Sequence, residues 1–359
     1  MLRRRDLCAH AITRTLFEPT SLPQAFARLG FVQADPIRAP ARAQDLILRQ
    51  RVVGYRAGGL ERAYASLGIE EDYVYAYGFV TRSVWQLLHP RAIAARLPAL
   101  DKKVLALVQV AAAIHPRELD AHLGRKRVVN AWGGYSQATK RALERLHHRG
   151  LVRIARRESG VRVYASAPAM VTTESADARL QQLAMAVANV LAPVPESSLQ
   201  SLTARMRRWM PRAKPAKTQL ATLVRDGLLQ RDVLDGVPYL WPSDDPEPTD
   251  VPRRVRLLAP FDPLVWDRAR FEQLWGWPYR FEAYTPVAKR VRGYYALPML
   301  WRDQVIGWAN ASTATGQLEV DVGFVAGRPK ERDFKAELEA EIARLRDFLI
   351  VQEPRTLAG

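Results

Sequence analysis

The chain has 359 residues, 48% of them hydrophobic and 25% charged, which is ordinary for a globular protein and leaves room for a sizeable core in two to four domains. Lysine and arginine total 54 against 37 acidic residues, a formal net charge of +17. That balance points to a polyanionic partner, nucleic acid before others, unless it only reflects a generally arginine-rich proteome. Cys8 is the one cysteine, which excludes internal disulfides and thiolate zinc sites, and six scattered histidines without HExxH spacing predict no metal and no cofactor.

In chain order, residues 5–17 read as a helix, and SLPQAFARLG (21–30) as a second. Ser21 serves as its cap, Pro23 sits in its first turn and Gly30 is its stop. FVQADPI then reads as a short strand, with Pro36 biasing Asp35 toward extended geometry. Gln33 and Asp35, two apart, would leave such a strand from one face. ARAQDLILRQR reads as helix, ended by Gly54. Tyr73, Tyr75 and Tyr77 alternate as on one strand face, although a helix fits equally, and this aromatic stretch either packs a core or walls a pocket for a stacked base.

Residues 101–167 repeat a recognisable order: the amphipathic helix DKKVLALVQVAAAI, a break at Pro116, RELDAHLG, then SQATKRALERLHHRG with Ser136 as cap. A hairpin follows, turning at Glu158-Ser159-Gly160. Helix, helix, helix, hairpin is a winged helix, whose third helix docks in a DNA groove unless the unit serves protein contact instead. A similar unit recurs over 168–243, with a hairpin turning at Asp235-Gly236, and the first 50 residues fit a further copy. PSDDPEPTDVP (242–252) reads as a boundary, and the aromatic remainder as a β-rich domain closed by the helix KAELEAEIARLRDFLI. The expected domains are 1–100, 101–167, 168–243 and 244–359. The start lacks the apolar stretch of a secretory signal, and no apolar run approaches the ~18 residues of a membrane span. A cytoplasmic, nucleoid-associated protein is expected.

The Gln33-Ala34-Asp35 triplet after helix and glycine, LLAPFDPLVWDRARFEQLWGW, and YRFEAYTPVAKRVRGYYALPMLWRDQVIGWAN together resemble the AlkZ/YcaQ-like family of winged-helix DNA glycosylases over about residues 5 to 350. The resemblance implies an α+β fold of three tandem winged helices with a C-terminal β-rich domain around a C-shaped basic cleft. It implies excision of alkylated bases, N7-alkylguanine above all, and unhooking of interstrand crosslinks in the branch with a Gln-x-Asp motif, here Gln33 and Asp35. One departure is the aromatic segment YVYAYGFVTRSVW, whose nearest histidine is His89, where family members often carry a Trp and a His. That leaves substrate range open.

The chemistry suits these side chains. N7-alkylation makes guanine a cationic leaving group, departure leaves oxocarbenium character at C1′, and a carboxylate beside a water-holding amide answers both needs. The expected reaction is monofunctional, since no lysine lies near the motif. Without the resemblance, Gln33 and Asp35 read first as a turn or cap at the strand end, Asp before Pro being common in turns.

Double-stranded DNA carrying damaged bases is the expected partner of a monomer. Arg38, Arg42, Arg49 and Arg51 follow the motif, and Lys140, Arg141, Arg145, Arg156 and Arg157 lie on the second winged helix. Together with Arg268, Arg290 and Arg292 they are the expected phosphate contacts, the alternative being a solvated face. Tyr75, Tyr77 and Trp266 are the expected cleft wall, Trp266 otherwise closing the β-domain, and the 232–240 hairpin is the candidate for probing the duplex. The rival readings are a non-enzymatic winged-helix transcription regulator and a protein-interaction scaffold.

Overall fold

Local sequence decides the first elements. The Ser21 hydroxyl accepts the Gln24 amide N–H while the Gln24 side chain reaches back to the Ser21 backbone, a reciprocal cap. Gly30, at φ 68°, stops the helix. The structure, a computed structural model, describes residues 3–91, 96–129, 133–169, 172–246, 249–314 and 316–349. They fall into two compact units, one drawn from 1–60, 185–200 and 221–359, the other from 61–184 and 201–220.

The chain begins with α1 (Arg4–Thr15), α2 (Leu22–Leu29), β1 (Phe31–Gln33), α3 (Ala43–Leu48) and the short α4 (Gly59–Ala63). The first strand is shorter than its apolar run suggests: it ends at Gln33, and Asp35 lies in the loop beyond. The second unit carries the hairpin β2 (Ile69–Tyr73) and β3 (Tyr77–Thr81), followed by α5 (Arg82–Leu88), α6 (Ala99–Val110) and α7 (Pro116–Leu123). Pro116 opens α7, its fixed φ suiting a first helical turn. Then come β4 (Arg127–Val129), β5 (Tyr135–Gln137), α8 (Ala138–His148) and the hairpin β6 (Val152–Glu158) with β7 (Val161–Ser166). The β4–β5 pair is a feature the sequence does not announce, and it takes Ser136 into a strand, so that Gln137, not Ser136, precedes the helix.

The three acidic residues Glu70, Glu71 and Asp72 on β2 are all buried. Successive residues face opposite sides of a strand, so each needs its own cation. Glu70 takes Arg153, Glu71 takes Arg157, and Asp72 takes Arg91 and His89.

Next come α9 (Ala176–Leu191), β8 (Val194–Pro195), α10 (Glu196–Arg207), α11 (Ala216–Arg225) and the hairpin β9 (Leu229–Leu234) with β10 (Val237–Pro242). Asp235 and Gly236 both have positive φ, 49° and 80°, as the turn that matches strand twist requires. After them the first unit contains β11 (Val255–Leu257), α12 (Pro263–Trp266), α13 (Arg268–Trp275), β12 (Leu297–Trp301), β13 (Gln304–Ser312), β14 (Glu319–Phe324) and α14 (Arg332–Leu349). The sheet order is β11-β12-β13-β14, all antiparallel. Helix interrupts the expected β-rich segment at 263–275, where Asp262 and Asp267 cap α12 and α13 through their side chains. The core beneath joins Leu7 and Ile12 of α1 to Phe271, Trp277, Tyr279 and Leu300. Each such side chain contributes roughly 1.5–3 kcal/mol on burial.

Candidate active site

The loop after β1 places Asp35 half-buried, its amide N–H donating to the Oε1 atom of Gln44 at 3.4 Å. Its Oδ1 accepts the Ile37 N–H at 2.9 Å, a local turn bond of the kind Asp forms before proline. No cation pairs with this carboxylate among the described residues. Burial therefore raises its pKa above the ordinary carboxylate value, with only the Ile37 N–H pulling the other way. The contrast with the other carboxylates is sharp. Glu71, Asp72 and Glu341 are pushed up by burial too, but their partners win and hold each below the ordinary range. Gln33 adds a second unspent group: its Oε1 is buried and accepts no hydrogen bond.

Tyr295 belongs to the same site. It is 3% exposed, its hydroxyl has no hydrogen-bond partner, and its pKa is raised by burial first and by the charge of Asp35 second. A cavity of about 550 Å³ is lined by Ala39 of the motif loop together with Gly293, Tyr294, Tyr295, Asn310 and Asp321. Phe281 packs edge-on against both Phe261 and Tyr295, which fixes the tyrosine ring. Sequence reading missed Tyr295 as a site residue, although it stands inside the quoted YRFEAYTPVAKRVRGYYALPMLW stretch.

The expected phosphate contacts divide. Arg38, Lys140, Arg145 and Arg156 are exposed. Arg145 and Arg156 are nonetheless paired, with Asp101 and Glu158. Arg42 is half-buried and already engaged within the protein. Arg141 donates to the Val129 carbonyl, Arg290 to that of Thr285, and Arg292 lies over the Trp277 ring.

Four arginines need correction, because their guanidiniums are spent inside. Arg51 is wholly buried and forks onto Asp262. Arg49 pairs with Glu341 at 2.5 Å with 4% of its side chain exposed. Arg157 pairs with Glu71. Arg268 donates to the Pro260 and Val265 carbonyls and lies over Tyr279. Of the expected cleft wall, Tyr75 is a core residue at 5% exposure, and the Tyr77 hydroxyl is committed to Glu71. Trp266 is half-buried on α12, in the same unit as Asp35.

Among the described residues no group of His, Cys, Asp and Glu is placed to hold a metal ion, and no helix is long and apolar enough to cross a membrane. What remains is a mixed α/β protein with a half-buried carboxylate that no cation pairs with among the described residues, and a buried amide oxygen and a buried phenol hydroxyl without hydrogen-bond partners. A family model described as DNA glycosylase AlkZ-like matches residues 26–348, and the chain belongs to that family of DNA glycosylases. Its fold is similar to the solved structure of Streptomyces sahachiroi DNA glycosylase AlkZ, with a TM-score of 0.63 at 14% identity over 97% of this chain and 96% of that one.

Proposed function

We propose that this chain is a monofunctional glycosylase that hydrolyses the N-glycosidic bond of alkylated purines in double-stranded DNA, N7-alkylguanine first and interstrand crosslinks by extension, with Asp35 and Gln33 acting on the attacking water. The observation that carries this reading is the carboxylate of Asp35, desolvated and left without a cation. Such a group costs stability where it stands, and perturbed carboxylates of this kind gather at functional sites. Its raised pKa makes it a better base than a solvated aspartate.

In the proposed step the C1′–N9 bond breaks and its electron pair passes to the purine, which neutralises the cationic ring and removes the need for an acid. The water oxygen bonds to C1′, and its proton passes to Asp35. The carboxylate charge also favours the developing oxocarbenium. The Gln33 Oε1 atom is free to accept from the same water. A purely DNA-binding regulator leaves both groups unexplained, since an unpaired carboxylate facing DNA repels it.

The order α6, α7, α8, β6, β7 supports the winged-helix reading of 101–167, and α9, α10, α11, β9, β10 that of 168–243. The first copy and the C-terminal domain complete the proposed four-part division of a monomeric, cytoplasmic and nucleoid-associated enzyme. The test is release of 7-methylguanine from methylated duplex DNA by wild type and Asp35→Asn. Loss of a general base costs about 10²- to 10⁴-fold, with duplex binding retained. An Asp35→Asn variant that excises at the wild-type rate refutes the assignment.

A further inference from the structure

We propose that the cavity between the motif loop and the β13–β14 edge of the sheet receives the cationic ring of the alkylated purine, with Glu319 and Asp321 reading its charge. This deepens the glycosylase reading and rests on it for the identity of the ligand. The cavity, about 550 Å³, falls within the roughly 300–1,000 Å³ of small-ligand sites and has Ala39 of the motif loop on its wall. The charge of Asp35 acts on the Tyr295 phenol, so the cavity lies beside the proposed base.

Strand register sets what the cavity meets. β14 is the outer strand of its sheet, paired there with β13 alone. Asn310 stands opposite Asp321 and Ser312 opposite Glu319. Residues directly opposite, or two apart along a strand, share a face. All four line the cavity. An acidic surface patch selects nothing by itself, but Tyr295 adds a second feature. It lines the same cavity, is 3% exposed, and its hydroxyl makes no hydrogen bond. A buried hydroxyl left unbonded is costly, and a polar atom of a ligand would satisfy it.

Charge selects the ligand. The chain carries a net charge of +17, yet no lysine or arginine lines this cavity, and its charged wall residues are Glu319 and Asp321. Such a wall repels phosphate and offers an undamaged, neutral base no charge interaction. An N7-alkylated purine is the one cationic part of a damaged strand. Asn310 Nδ2 is spent on the Arg292 carbonyl at 2.6 Å, which leaves its Oδ1 to accept from a purine N–H. The Tyr295 hydroxyl is placed to donate to a purine carbonyl oxygen. The two carboxylates act on the ground state. As the C1′–N9 bond breaks, its electron pair enters the ring and the positive charge disappears. They therefore hold the substrate more tightly than the transition state or the neutral product, and select the lesion without speeding its cleavage.

The test uses the full chain and two duplexes that resist cleavage. One carries 7-methylguanine on a 2′-fluoroarabino sugar and is cationic; the other carries 7-deaza-7-methylguanine, the neutral isostere. Phosphate contacts are the same in both, so the ratio of their affinities isolates the charge of the base. Wild type should bind the cationic duplex about fivefold more tightly, the size of a partly exposed ion pair. Both acids are exposed, so Glu319→Gln/Asp321→Asn should keep the melting temperature of wild type. That double variant should bring the ratio close to one, while its single-turnover release of 7-methylguanine at saturation is no slower. A wild-type ratio of one, or a ratio the double variant leaves unchanged, refutes the proposal. So does slower release at saturation, which would place the two acids in the bond-breaking step. Neither analogue is cleaved, so the ratio is read independently of the Asp35→Asn release assay, which tests the glycosylase reading alone.

Discussion

Replacing Arg51 by methionine removes a guanidinium that is 0% exposed. Its Nη1 and Nη2 donate to the two Asp262 carboxylate oxygens at 2.9 and 3.0 Å, its Nε to the Thr15 carbonyl, and Nη1 also to that of Ile47. The variant keeps a side chain of similar length but strands Asp262, itself 0% exposed, with the Leu264 N–H as its one remaining side-chain partner among the described residues. Breaking one side of a buried pair costs about 3–5 kcal/mol, and four lost hydrogen bonds place this case toward the upper end. That is a large share of the ~5–15 kcal/mol that holds an ordinary domain folded. Urea unfolding at neutral pH measures it. The double variant Arg51→Met/Asp262→Leu should recover much of the loss, because no charge is left buried alone. Arg38→Ala is the control from the exposed set: it should leave stability unchanged and lower the salt slope of DNA binding by about 0.9. An Arg51→Met protein that unfolds within about 1 kcal/mol of wild type while losing that slope would show that the guanidinium reaches phosphate, and would refute the burial argument.

The proposed role of Asp35 sets an expected pH dependence of base release. Its pKa is raised by burial, so the acidic limb of the rate profile should lie above the ~3.9 of an ordinary aspartate, and a limb at or below that value contradicts the site. The sign for stability is the reverse of the usual carboxylate case. The folded state prefers the protonated acid, so Asp35→Asn should stabilise at neutral pH, with the gain fading as pH falls through the folded pKa. Tyr295→Phe removes a buried hydroxyl that has no partner, and unfolding measurements should show no loss, where a bonded hydroxyl would cost about 1 kcal/mol. His89 and His147 are buried, and burial lowers both pKa values below the ordinary ~6.5 despite the opposing pull of Asp72. The unfolded chain therefore takes up protons first, and urea midpoints should fall as pH drops below about 6.5; midpoints flat from pH 7 to 5 contradict this.

Much of the chain was legible in order. The caps at Ser21 and Gly30, both positive-φ hairpin turns and the closing helix follow from short-range chemistry, and each element stands where its residues place it. Gln33 and Asp35 drew notice as residue types, but a Gln-x-Asp triplet means little alone, and the expectation for it came from the contiguous stretches that carry the family resemblance. Other elements resisted the same reading. The aromatic run after Asp262 looks strand-like, yet Asp262 and Asp267 cap helices there, because an Asp side chain serves a helix start as readily as a turn.

Which charges face water was beyond the sequence. Arg49 and Arg51 follow the motif and read as expected phosphate contacts, but their acids lie 292 and 211 residues away in the chain, at Glu341 and Asp262. A positive residue looks the same in a sequence whether a distant carboxylate neutralises it or not, so net charge alone overstated the surface on offer. The converse holds for Asp35: no local pattern distinguishes a solvated turn aspartate from a desolvated one, because desolvation is set by what packs around it. Sequence determined the vocabulary of helices, turns and reactive groups through interactions a few residues long; tertiary packing alone decided which polar groups were spent on one another and which were left over, Asp35 without a cation and the Gln33 Oε1 and Tyr295 hydroxyl without hydrogen bonds.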